Sequence, residues 1–122
     1  MQSSPTYNLL GLLAAGLPPS ADYAPARADL NGTWRCDDGG LYFVRQIGPD
    51  VLWYGEGSSD RPFFANVAHG RMEDDGRVRL MWADVPKGTT GKCGALVLHV
   101  GHDGEMHAVT ATGGFGGRVW TR

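Results

Sequence analysis

From Leu30 onward the chain is cut into short β-rich runs by glycine, aspartate and proline, and this punctuation leaves room for little but antiparallel strands. The runs cover residues 32–36, 41–47, 51–56, 64–72, 77–84, 95–100, 105–111 and 118–121. None keeps a helical period, and no stretch joins helix formers to caps over three turns. Glycine supplies 19 of 122 residues, about twice the ~7% average, as a chain of many tight turns requires. The length suits a single core. The expectation is one all-β domain over residues 30–122.

The connections say how the strands are joined. Gly48-Pro49-Asp50, Asp74-Asp75-Gly76 and His102-Asp103-Gly104 are short hairpin signals. They alternate with Asp37-Asp38-Gly39-Gly40, the 57–62 and 85–92 loops, and Gly113-Gly114-Phe115-Gly116-Gly117, which are longer on average and glycine-rich. In a meander every second connection shares a rim. The pattern therefore predicts an eight-stranded antiparallel up-and-down barrel with a tight base and a loop-bearing mouth.

Register follows from the turns. With Asp74-Asp75-Gly76 as a three-residue loop and Gly76 left-handed, Met72 pairs with Val78, Gly70 with Leu80, Ala68 with Trp82 and Asn66 with Asp84. That face is apolar until it reaches the mouth, so it is the interior. The same logic places Leu96, Leu98, Val100, Met106 and Ala108 inside and His99 beside His107 outside. The runs at 41–47 and 51–56 take no unique phase from the sequence.

Residues 1–29 differ from the rest. Residues 9–17 resemble a secretory apolar region, Pro18-Pro19 would end it, and Ala24-Pro25-Ala26 fits a small-x-small cleavage site, though no basic residue precedes Arg27. The segment reads either as a processed leader or as a short helix or trunk packed on the domain. The leader reading implies a secreted or periplasmic protein. No apolar run approaches the ~20 residues of a membrane-spanning helix. With 11 Lys plus Arg against 13 Asp plus Glu, the net charge of −2 gives no field for nucleic acid or an anionic membrane.

Cys36 ends the first run and Cys93 precedes the sixth, so both fall at the mouth rim. They form either a disulfide, worth about 4 kcal/mol on the chain-entropy model, or two buried thiols. Two sulfurs without nearby histidine make an incomplete metal set, and an outward His99–His107 pair without a carboxylate reads as a solvated face. No metal or cofactor is expected.

Trp34, Trp53, Trp82 and Trp120 either fill the barrel or form an aromatic wall. Asn66, Asp84 and Glu56 converge at the mouth, either to orient a ligand over an apolar floor or to cap loop amides. Phe115, flanked by glycines, is expected on an exposed hairpin as a lid or partner anchor. No catalytic triad, metal-binding helix motif or phosphate loop is present. An isomerase or cyclase would need one inward carboxylate of raised pKa.

Asn31-Gly32-Thr33-Trp34 on the first strand and Val119-Trp120-Thr121-Arg122 on the last together resemble the calycin barrels, meaning lipocalins, avidins and small bacterial metalloprotease inhibitors. The resemblance implies that Gly-x-Trp opens the barrel, that Arg122 lies against Trp34, and that the protein is a non-enzymatic ligand- or protein-binding barrel. The expected function is binding of a small, partly apolar ligand by Trp34, Glu56, Asn66, Trp82, Asp84 and Phe115. The alternative is a protein-binding module or protease inhibitor with a filled core.

Overall fold

The computed structural model describes residues 28–57, 64–86 and 91–122. The leader-like residues up to 27 and parts of two mouth loops lie outside the described residues. Eight strands follow in chain order: β1 (Gly32–Cys36), β2 (Gly40–Ile47), β3 (Asp50–Gly57), β4 (Ala65–Met72), β5 (Arg77–Asp84), β6 (Cys93–Val100), β7 (Met106–Ala111) and β8 (Val119–Thr121). Each pairs antiparallel with its chain neighbour, and β8 returns to β1 through Arg35–Thr121 and Cys36–Trp120, closing the barrel. Closure removes both sheet edges, which would otherwise expose unpaired backbone groups.

Register between β4 and β5 runs from Asn66–Asp84 to Met72–Val78, as the turn chemistry dictates. Gly76 and Gly104 take φ of 84° and 83° at the base turns. The β2–β3 hairpin is tighter than the sequence suggests. Ile47 pairs with Asp50, so Asp50 belongs to the strand and only Gly48-Pro49 turns, with Gly48 at φ 57°. That one-residue difference sets the phase, placing Tyr42 and Val44 of β2 and Val51 and Trp53 of β3 inside.

Between β6 and β7, His99–His107 and Leu98–Ala108 pair as expected, but the register then slips, so that Val97 meets Thr110 and Leu96 meets Ala111. The extra residue is Val109, left exposed by the bulge. The bulge lets both Ala108 and Ala111 pack against the core.

The base is closed from below. Leu30 is fully buried, its carbonyl accepts the Trp34 indole N–H at 2.9 Å, and its own N–H donates to Gln46 Oε1 at 2.8 Å. The Arg122 guanidinium carbon lies 4.2 Å from the Trp34 ring centroid and Nη1 donates to the Asn31 carbonyl. This is the Trp–Arg contact that the calycin resemblance implies, a cation–π pair on a wholly buried ring.

Candidate functional site

The upper interior holds an aromatic cluster. Tyr42 of β2, Trp53 of β3, Trp82 of β5 and Trp120 of β8 are all buried and inward-facing. Tyr42 meets Trp53 edge-on at 5.0 Å between ring centroids and Trp120 at 5.8 Å, and Trp53 lies 5.5 Å from Trp120. Phe115 comes in from the β7–β8 loop and sits among them. Its ring is 4.9 Å from Trp82, 6.0 Å from Trp120, 6.3 Å from Trp53 and 6.5 Å from Tyr42.

Phe115 is only 6% exposed, which corrects the expectation of an outward hairpin tip. The reason is energetic. A phenyl ring beside an open aromatic barrel loses more by staying in water than the loop loses by folding inward. The loop's backbone is shaped for this, with Gly113 and Gly114 at φ 80° and 87°. Gly117 packs over the interior so closely that a Cβ there would lie 2.5 Å from Cys36 Sγ. Arg118 Nη1 donates to the Phe115 and Gly117 carbonyls at 2.7 and 2.8 Å, strapping the loop in place.

A polar thread runs beside the rings. Trp53 Nε1 donates to Asn66 Oδ1 at 2.9 Å, Asn66 Nδ2 to the Tyr42 hydroxyl at 3.4 Å, and that hydroxyl to Asp38 Oδ2 at 2.5 Å. Asn66 is the one buried polar side chain among the described residues, and both ends of its amide are used. Burial, then the nearby Asp38 carboxylate, pushes the Tyr42 hydroxyl well above its usual range. Burial acts first on the Cys36 thiol too, raising it strongly, with Asp38 again adjacent.

Asp37 holds the rim together. Its Oδ1 accepts the N–H groups of Arg118 at 2.8 Å and Val119 at 3.2 Å. Partial burial pushes its carboxyl up, but these backbone donors outweigh that and hold it below the usual carboxylate range.

The residues expected at the mouth divide into three groups. Asn66, Trp82 and Phe115 come together inside, Trp82 Nε1 donating to the Thr112 carbonyl at 3.0 Å. Asp84 lies beside Asn66 but caps the β5–β6 connection, its Oδ2 accepting the Lys92 N–H at 2.9 Å. Glu56 shares the outer face of β3 with Tyr54, whose hydroxyl donates to it at 3.2 Å, so it does not point over the rings. Trp34 belongs to the base and not to the mouth.

The cysteines correct a further expectation. Both are free, Cys36 buried and Cys93 exposed. Strand parity explains this. Cys36 shares the inward face of β1 with Trp34, whereas Cys93 alternates away from the inward Leu96 and Leu98 of β6. Proximity at one rim does not bring together side chains on opposite sides of the wall.

Tyr42, Asp38 and Arg118 escaped selection from sequence, whereas Trp53 and Trp120 entered it as members of the tryptophan set. Phasing β2 from the Gly48-Pro49 turn would have found Tyr42; Asp38 and Arg118 carry no signal beyond their place in turns. At the base, Asp103, Glu105 and His107 place ligand atoms within 4.8 Å of one another on the outer surface, where His107 Nε2 already pairs with Glu105 Oε1 at 3.2 Å. These are the described donors that could approach a cation, and all are at least partly solvated.

What the fold and site define is a closed eight-stranded antiparallel barrel, of the architecture that calycins share, with a loop-borne phenyl ring seated in its mouth. No protein-family model, curated protein or solved structure matches the chain.

Proposed function

We propose that the protein is a non-enzymatic, calycin-like carrier or receptor that binds a small, partly apolar molecule in its mouth, with Phe115 as the displaceable occupant of the site. The observation that carries this reading is the origin of the rings. Tyr42, Trp53, Trp82 and Trp120 are fixed by hydrogen-bonded strands, while Phe115 hangs from a glycine-rich loop. Lifting it breaks no strand pairing.

Displacement costs roughly 1.5–3 kcal/mol of lost phenyl burial plus the Arg118 contacts. A flat ligand covering the same rings recovers that area. The Asn66 amide and Tyr42 hydroxyl would orient its polar groups. Asp84 serves the architecture in this reading, through the β5–β6 connection. Export rests on the leader-like residues 1–29 alone, since the free thiols lend it nothing.

The test is native mass spectrometry of protein purified from its own source. The expected result is a retained molecule of small mass that is lost from a folded Trp82→Ala variant. Unchanged retention in that variant sinks the pocket.

A second reading, a protein-binding module, has its own observation. Phe43, Tyr54 and Val67 pair in one row across the outer face of β2, β3 and β4, all exposed, with the Phe43 and Tyr54 rings stacked at 6.5 Å and Met81 nearby at 58% exposure. An apolar row of this kind suits a flat partner surface. Partner capture that survives Phe115→Ala but fails in Tyr54→Ser would favour it.

A further inference from the structure

The mouth site also carries a specification of its ligand, an inference that rests on the reading above. The four tryptophans differ in one respect. The indole N–H of Trp34 reaches the Leu30 carbonyl, that of Trp53 reaches Asn66 Oδ1, and that of Trp82 reaches the Thr112 carbonyl. Trp120 Nε1 is wholly buried and has no acceptor. Buried donors in folded proteins are nearly always paired, so an orphan inside a binding cluster marks where an acceptor is missing.

The neighbouring seat is shaped for an aryl ring, because it holds one. Phe115 lies roughly parallel to Trp120, at 28° between ring planes, and edge-on to Trp82 at 76°. A side chain that fills the seat brings a phenyl but no polar atom, so it satisfies the rings and leaves the indole unsatisfied.

Charge narrows the acceptor. The described mouth residues include the carboxylates Asp37, Asp38, Glu56 and Asp84, with Asp38 hydrogen-bonded to the Tyr42 ring that lines the seat. The guanidinium of Arg118 is turned to loop carbonyls. Among the described residues no cation lies inside the seat, Lys92 standing exposed outside Gly114, so an anionic ligand would be buried next to Asp38 without a counter-charge, which is unfavourable.

We infer that the mouth accepts an uncharged aryl carbonyl compound, its ring in the place of Phe115 and its carbonyl oxygen on Trp120 Nε1. The class covers aryl amides, ketones and lactones, and excludes aryl carboxylates and plain hydrocarbons as preferred ligands.

The experiment uses the full chain carrying Phe115→Ala, with benzamide, benzoate and toluene as probes, read by tryptophan fluorescence and by the indole N–H signals in a nitrogen-15 correlation spectrum. Benzamide should bind and shift the Trp120 indole signal, identified by its absence in Trp120→Phe. Adding Trp120→Phe should weaken benzamide about tenfold more than toluene, the size of one lost hydrogen bond, since both probes lose the same ring contact. Benzoate should bind at least about tenfold more weakly than benzamide. If toluene and benzamide both bind but Trp120→Phe weakens them equally, the carbonyl assignment is wrong while the mouth pocket stands. Tighter benzoate than benzamide also overturns it. If none of the three binds a folded variant, the pocket itself is wrong. Should Phe115→Ala fail to fold, Phe115→Val keeps an apolar filler and the same ratios are read on it.

Discussion

The two ends of this barrel solve the same problem, sealing an aromatic interior from water, by opposite means. At the base the seal is built from chain that cannot leave. Trp34 is on a strand, Arg122 directly follows β8, and Leu30 is tied to Gln46. At the mouth the described seal includes a phenyl carried on a loop, held by one arginine and a carboxylate. The difference teaches that burial alone does not tell a ring fixed by strands from one carried on a loop. Trp34 and Phe115 are nearly equally buried, but only one can be withdrawn without unpairing strands.

The comparison can be broken first at its strongest point. Trp34→Ala should destabilise the protein by about 4 kcal/mol in urea unfolding, because the strand around it cannot collapse into the void. Phe115→Ala should cost less, about 2 kcal/mol, since its loop is free to resettle. Equal losses would mean that the mouth loop is as rigidly structural as the base.

Asn66→Ala comes next. It strips the buried Trp53 indole of its acceptor and should cost ~1–3 kcal/mol, while Asn66→Asp, which keeps an acceptor oxygen, should recover part of the loss.

The smallest effects concern pH, and the two ends should respond with opposite sign. Asp37 at the mouth is held below its usual range by backbone donors, so its stabilisation is present above the unfolded-state value and is lost as pH falls through its folded value. Asp37→Asn should flatten the acid limb of the stability curve. Asp50 at the base is pushed upward by burial, only partly offset by Arg71 at 3.7 Å, and its Oδ2 is buried without a partner. Its contribution is present below the unfolded-state value and is lost as pH rises through the raised folded value. Asp50→Asn should therefore raise stability slightly at neutral pH. Thermal melts across pH 3 to 7 would check both.

Most of the architecture was legible because turns and periodicity are local signals. The alternation of tight and glycine-rich connections gave the barrel and its polarity, and Gly76 fixed the β4–β5 register. The β2–β3 phase was not legible, since Gly48-Pro49-Asp50 fits a two- or three-residue turn equally well, and with it went Tyr42. The site was only partly legible for a related reason. The inward placement of Asn66 and Trp82 follows from register. The direction of Phe115, the separation of the cysteines and the outward turn of Glu56 depend on which face of a closed wall each occupies, and one uncertain phase leaves that undecided.

The two thiols give the molecule a clock of its own. Cys93 stands in solvent, while Cys36 lies beneath Gly117 with its proton held tightly by burial. An alkylating reagent should therefore mark one sulfur at once and the other only at the rate at which the phenyl stopper lifts. Loosening the Arg118 strap should quicken the second reaction and leave the first untouched.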